Sequence, residues 1–171
     1  MLEDLEEDAG LIDRVLKKDA FQLSRIRVDT REEFTHGLET FQPDIILSDH
    51  SLPQFNSIEA LDICKANFPN IPFILVTGAV SEEFAVHCLK HGADDYVLKS
   101  NLSRLPVAIR HAIRQKALER DRKKKNKLLR KKNKQLSKIN SELDSFVYNI
   151  SHNLRAPLTS ILGVINVTKL D

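Results

Sequence analysis

The chain has 171 residues, of which 42% are hydrophobic and 29% charged, with 26 Lys and Arg set against 24 Asp and Glu for a net charge of +2. That is room for one ordinary domain and an appendage, and the absence of any run near the roughly 18 apolar residues of a spanning helix excludes a membrane span. The small net charge hides a division: from Arg120 to Lys134 ten of fifteen residues are Lys or Arg and one is Asp, so +9 there leaves −7 for an acidic globule to which a basic segment is joined.

In chain order, the acidic pair Glu3 and Asp4 comes directly after Met1 and Leu2. Leu11, Ile12, Val15 and Leu16 recur at helical spacing and predict a first helix. Phe21 to Val28 alternates apolar with polar, a strand with one polar face as at a sheet edge. Thr30 with Glu33 forms a capping box that opens a helix to about Phe41. Ile45 to Ser48 reads as a short strand buried on both faces, followed at once by Asp49, with the chain turned by Pro53. Ser57 to Phe68 is a third helix that Pro69 ends, and Ile71 to Val76 is a second buried strand closing on Thr77-Gly78. Ser81, with Glu82 and Glu83, caps a fourth helix that runs to His91 and stops at Gly92. Asp95 to Lys99 is the last strand, and Leu102 to about Leu118 the fifth helix. Strands alternating with helices predict an α/β fold with a doubly wound parallel sheet. Cys64 and Cys88 fall in helix-like stretches without metal-ligand spacing, and no signal-peptide core is present, so reduced thiols and a cytoplasmic location are expected.

In an open parallel sheet, ligands gather at the carboxyl ends of strands, which is where Asp49 stands. An isolated Asp there would more often cap the next turn. Thr77 and Lys99, however, also close apolar strands, and the acidic pair completes the set. An acid pair, a central Asp, a Thr and a Lys at four strand ends resemble the response-regulator receiver domain, over residues 1–118. The resemblance implies a five-stranded parallel sheet whose acidic pair follows a complete first strand. With only Met1 and Leu2 ahead of Glu3, that strand is expected to be largely missing, as in a fragment. Phosphoryl transfer to a carboxylate needs a cation, because both reactants are anionic, and Glu3, Asp4 and Asp49 offer hard oxygens suited to Mg²⁺. By resemblance Asp49 is the nucleophile and phosphoacceptor. Asp4, Asp49 and the backbone carbonyl of Ser51 bind the metal, and Glu3 acts through water. Thr77 hydrogen-bonds one phosphoryl oxygen and Lys99 pairs with another. Tyr96 matches the aromatic whose rotamer reports phosphorylation, though an ordinary half-buried strand Tyr would look the same. Ser100 replaces the proline that usually follows the Lys, so no cis turn is expected there.

Beyond Leu118 the composition changes. Leu129, Leu136, Leu143 and Ile150 fall seven apart, with Ile139 and Phe146 three residues after Leu136 and Leu143. This heptad seam predicts a parallel homodimer through residues 118–171, with 119–142 as a basic coiled-coil linker helix. The basic run would suit nucleic acid or an anionic membrane. It lacks interleaved aromatics, so the solvated face of a linker is preferred and nucleic acid is not expected. In residues 143–171 the stretch Ser151-His152-Asn153-Leu154-Arg155-Ala156-Pro157-Leu158, with Phe146 before it and Ile161 and Gly163 after, resembles the phosphoacceptor box of histidine kinases. That resemblance implies a phosphorylatable His152, whose imidazole is nucleophilic at neutral pH, and a kink at Pro157. Asn153 and Ala156 depart from the acidic and Thr or Asn residues usual there. No second hairpin helix or nucleotide loop follows, so the ATP-binding kinase domain is expected to be missing and the chain alone cannot use ATP. The 32 residues between Arg120 and His152 would span roughly 48 Å as an unbroken helix, too far for direct transfer to Asp49. The function expected is two-component phosphorelay signalling. An upstream phosphodonor kinase or phosphotransfer protein loads the receiver, which regulates the phosphoacceptor helix of a parent histidine kinase, a transferase. The alternative is a stand-alone response regulator acting as a phosphorylation-controlled binding module through its basic helix.

Overall fold

The computed structural model describes residues 1–50, 52–53, 55–78 and 82–167, and their side chains except at 82–83, 154 and 156–167. Two units result, Met1–Asp121 and Arg122–Asp171. In the first, helices α1 (Glu6–Lys18), α2 (Arg31–Thr40), α3 (Ser57–Asn67) and α4 (Glu82–Lys90) and the start of α5 (Leu105–Val167) alternate with strands β1 (Ile46–Ser48), β2 (Phe73–Thr77) and β3 (Asp95–Leu98). A 3₁₀ segment, Lys99–Arg104, joins β3 to α5. It begins where the last strand was expected to end, so Lys99 lies one residue beyond the ladder.

The strands are parallel in the order β1-β2-β3. Successive side chains point to opposite faces, and the two faces have different tenants. Ile46, Phe73 and Leu75 pack with Phe34, Leu38, Leu61 and Cys64 from α2 and α3. Leu47, Ile74, Val76 and Val97 pack with Ile12 and Leu16 of α1 and Leu105, Ala108, Ile109 and Ala112 of α5. Apolar residues on both faces are what a doubly wound sheet requires. Thr30 caps α2 through its Oγ1, which accepts from the Glu33 N–H at 3.3 Å. Asn56, which the sequence reading passed over, caps α3 by accepting from the N–H groups of Ile58 and Glu59. The Ser81 cap of α4 lies outside the described residues. Gly92 closes α4 at φ +104°, and a Cβ there would meet the Lys65 side chain at 3.1 Å. Both cysteines are buried and free, and burial pushes the Cys64 thiol up to about 11, well away from reactivity.

Among the described residues the sheet has three strands rather than five. The first strand is reduced to a bridge at Leu2, which pairs in parallel with both Val28 and Ser48. The Leu2 N–H donates to Leu47 at 2.8 Å, the Leu2 carbonyl accepts from Asp49 at 2.8 Å, and the Val28 N–H donates to Met1 at 3.0 Å. The strand expected over Phe21–Val28 is corrected by the same geometry: it bridges only at Val28, opposite Leu2, and residues 21–27 join no ladder. Beside Met1 a cavity of about 470 Å³ is lined by Leu16, Phe21, Ile26, Ile45, Leu47 and Ile109, among others.

In the second unit α5 runs unbroken through Pro157, and the side chain of that proline is outside the described residues. Every described side chain from 122 onward is exposed, the seam residues Leu129, Leu136, Ile139, Leu143, Phe146 and Ile150 included. Among the described residues no helix is long and apolar enough to cross a membrane.

Candidate functional site

Register brings the polar residues together. Leu2 bridges Ser48, Ser48 lies opposite Leu75, and Thr77 lies opposite Leu98. Glu3, Asp49, Thr77 and Lys99 therefore leave the sheet at one edge, each within a residue or two of its strand's end. Asp49 is 8% exposed, Glu3 and Thr77 1% each. Asp49 Oδ1 accepts from the His50 N–H at 2.6 Å.

Lys99 is the cation at the centre. Its Nζ lies 2.7 Å from Asp49 Oδ2, 2.9 Å from Glu3 Oε2 and 2.5 Å from Asp8 Oδ2. Burial alone would pull the Lys99 ammonium down, but its bonds to Asp49, Asp8 and Glu3 outweigh that and hold it above its ordinary value. Burial raises the Glu3 carboxyl, and Lys99 offsets part of the rise. Glu3, Asp4 and Asp49 each offer an oxygen, all within 4.8 Å of one another, with Asp4 the most accessible of the three. Hard carboxylate oxygens with one solvent-accessible member fit a small divalent cation that keeps several waters. Ser51, expected to add its carbonyl, lies outside the described residues.

A profile of the response regulator receiver domain matches residues 1–110. The chain belongs to that family. This receiver is 34% identical over 89 residues to the regulatory protein LuxO of Vibrio vulnificus, covering 52% of this chain and 20% of that protein. It is 30% identical over 87 residues to the regulatory protein AtoC of Escherichia coli, covering 50% of this chain and 19% of that protein. The chain thus spans about a fifth of the length of these relatives. The signal receiver domain of a LuxO repressor protein from Vibrio parahaemolyticus superposes with a TM-score of 0.61 at 25% identity, over 69% of this chain and 90% of that one. A CheY-like receiver from Methanospirillum hungatei superposes at 0.59 and 24% identity, over 69% and 94%. The parallel α/β sheet with a long C-terminal helix is the receiver fold, and its family role is two-component phosphorylation signalling.

The receiver places Tyr96 half-buried in β3 against the α2/α3 face. Arg104 holds it from the 3₁₀ segment: the guanidinium lies 5.7 Å from the ring centroid, donates to the Tyr96 carbonyl at 2.7 Å and grips both Asp95 oxygens at 2.9 and 3.0 Å. His50 is stapled between Ser57, 2.9 Å from its Nδ1, and the Phe84 ring, 3.9 Å between centroids. Asp8, Arg104 and His50 escaped the sequence reading. The spacing of Asp4 and Asp8, one helical turn, was the signal available for the first. His152 belongs to the second unit, exposed and stacked 6.4 Å from Tyr148 between centroids.

Proposed function

We propose that Asp49 is the phosphoacceptor of this receiver, and that its phosphorylation state is the signal passed to the α5 helix. What supports this most is the shared Lys99: one ammonium bonds the Asp49 oxygen and a carboxylate of the acidic cluster at the same time. An Asp49 oxygen attacks the phosphorus of an incoming phosphoryl donor, the bond to the leaving group breaks, and that group departs with the bonding pair. Lys99 then neutralises phosphoryl oxygens in place of the carboxylate it held, and the Thr77 hydroxyl donates to another. Glu3, Asp4 and Asp49, with the Ser51 carbonyl, would hold Mg²⁺. When bound, that ion supplies the positive charge that lets two anionic reactants meet. Tyr96 is the switch aromatic, and Arg104 sets the ring's resting place.

Residues 119–171 are proposed as the output, a helix that pairs with a second copy through its heptad seam and presents His152 on its flank. The supporting observation is the exposure of that seam alongside a solvent-facing imidazole. Read this way the chain is the receiver and phosphoacceptor helix of a hybrid histidine kinase, with the ATP-binding domain supplied elsewhere. The regulators LuxO and AtoC favour the second reading, a response regulator whose basic helix contacts a partner when Asp49 is phosphorylated. Both readings share the first step. Incubation with a small acyl phosphate and Mg²⁺ should raise the intact mass by one phosphoryl group. Asp49→Asn or excess chelator should abolish the gain, and a gain that persists in either condition refutes the assignment. Transfer of the γ-phosphoryl group of ATP to His152 by a separately supplied kinase ATP-binding domain, with ADP leaving, supports the kinase reading over the regulator.

A further inference from the structure

We infer that Asp8 is a positioning residue for phosphoryl transfer, an anchor that keeps Lys99 at the site once a cation has taken its other two partners; this rests on Asp49 being the phosphoacceptor. Lys99 has three carboxylate partners, and two of them, Glu3 and Asp49, belong to the cluster of oxygens within 4.8 Å that would hold the metal. Asp8 is the third, at 2.5 Å, and it stands outside that cluster. A divalent cation drawing on Glu3 and Asp49 strips Lys99 of those two bonds. Without Asp8 the ammonium, whose side chain is only 17% exposed, would then face the metal with no counter-charge and would oppose its binding.

The backbone makes Asp8 a firm anchor. It lies in the first turn of α1, and the next residue, Ala9, is fully buried, as is Ile12 one turn on. Its carboxylate can therefore reach Lys99 but has little freedom to follow it. Asp8 contributes negative charge near the metal and a resting place for Lys99 within a side-chain swing of Asp49. When the phosphoryl group arrives, Lys99 needs only to exchange one anion for another.

The test uses the full chain with Asp8→Asn, Asp8→Glu and, as a charge control on the same helix, Asp13→Asn. Mg²⁺ affinity is read by calorimetry, and the phosphorylation rate with a small acyl phosphate at saturating Mg²⁺ by intact mass. Asp8→Asn is expected to weaken Mg²⁺ binding about five- to tenfold and to slow phosphorylation at least threefold. Asp8→Glu should recover most of both, and Asp13→Asn should leave both within twofold. An Asp8→Asn protein that keeps either constant within twofold of the wild type overturns the inference, as does an equal effect from Asp13→Asn. A wild-type chain that takes up no phosphoryl group overturns the Asp49 reading instead, and the Mg²⁺ titration still decides whether Asp8 and Lys99 act as described.

Discussion

The amine of Met1 is enclosed where an ammonium is badly placed. It donates to the Ile26 carbonyl at 2.7 Å, and its pKa is lowered from 8.0 to about 6, chiefly by burial and then by the charge of Arg25. For a base with a depressed folded value the unfolded chain holds more protons between the two pKa values, so stability rises with pH across that window. It is fully present above about 8 and is lost as pH falls through about 6. Two pK units correspond to about 2.7 kcal/mol in full, of which about half is already forgone at pH 7. Acetylating the amine removes the titration while keeping one N–H for Ile26. Urea unfolding of the free and acetylated chains from pH 5 to 9 should therefore give curves that converge at pH 9. By pH 5.5 they should diverge by about 2–2.5 kcal/mol, a midpoint shift on the order of 1–2 M. Parallel curves across the whole range would refute the placement of the amine.

The cavity beside Met1 supplies a second perturbation. Four added apolar residues ahead of Met1, running parallel between residues 22–28 and β1, should gain a net 2–5 kcal/mol or so in the same urea assay; an extension that leaves the midpoint unchanged argues against an open strand slot. Lys99→Met leaves Glu3, Asp8 and Asp49 facing one another and should cost about 3–5 kcal/mol at pH 7. Adding Glu3→Gln should recover at least about 1 kcal/mol of that, and strictly additive losses would mean the carboxylates do not share the lysine. For the helix seam, sedimentation should show a dimer that Leu136→Asp with Leu143→Asp converts to monomer, and that low salt weakens as the lysine-rich start repels itself. A wild-type monomer at every salt concentration rules out the seam as a self-association surface.

Asp49, Thr77 and Lys99 were legible in the sequence because a β/α alternation forces strand ends onto one edge, so three residues at three run ends had to be neighbours. Ile46 against Leu47, and Leu75 against Val76, were legible as buried without their faces being separable, since both sides of such a strand are apolar. Phe21–Val28 was misjudged for a different reason: alternation records which side chains face water, whereas a ladder depends on a neighbouring backbone. Apart from its spacing from Asp4, nothing local marks Asp8: its partner is 91 residues away, and an acid in a helix's first turn already has a local explanation in the macrodipole. Arg104 was hidden differently: it reads as a surface residue of the expected helix from Leu102, whereas it ends a 3₁₀ segment that turns it back onto Asp95 and Tyr96.

The acidic edge also explains why a metal would be needed at all. Glu3, Asp4, Asp8 and Asp49 bring four carboxylates together; Lys99 already spreads itself over three of them, while Arg27 donates to the backbone carbonyls of Glu3 and Asp4. On the proposed reading, phosphorylation would replace the single charge of Asp49 by about −1.5 to −2. One ammonium cannot fully serve both that group and the Glu3 carboxylate, which is 1% exposed. Glu3, Asp4 and Asp49 would hold a divalent cation, whose charge would offset theirs and leave Lys99 available to the phosphoryl oxygens. Removing the metal from a phosphorylated chain should then draw Lys99 back toward the carboxylates and loosen the very contact that marks the phosphorylated state. Loss of Mg²⁺ should therefore reverse the Tyr96 environment without hydrolysis, a change readable by tyrosine fluorescence before and after chelation at constant intact mass. An unaltered signal would place the balance of charge elsewhere.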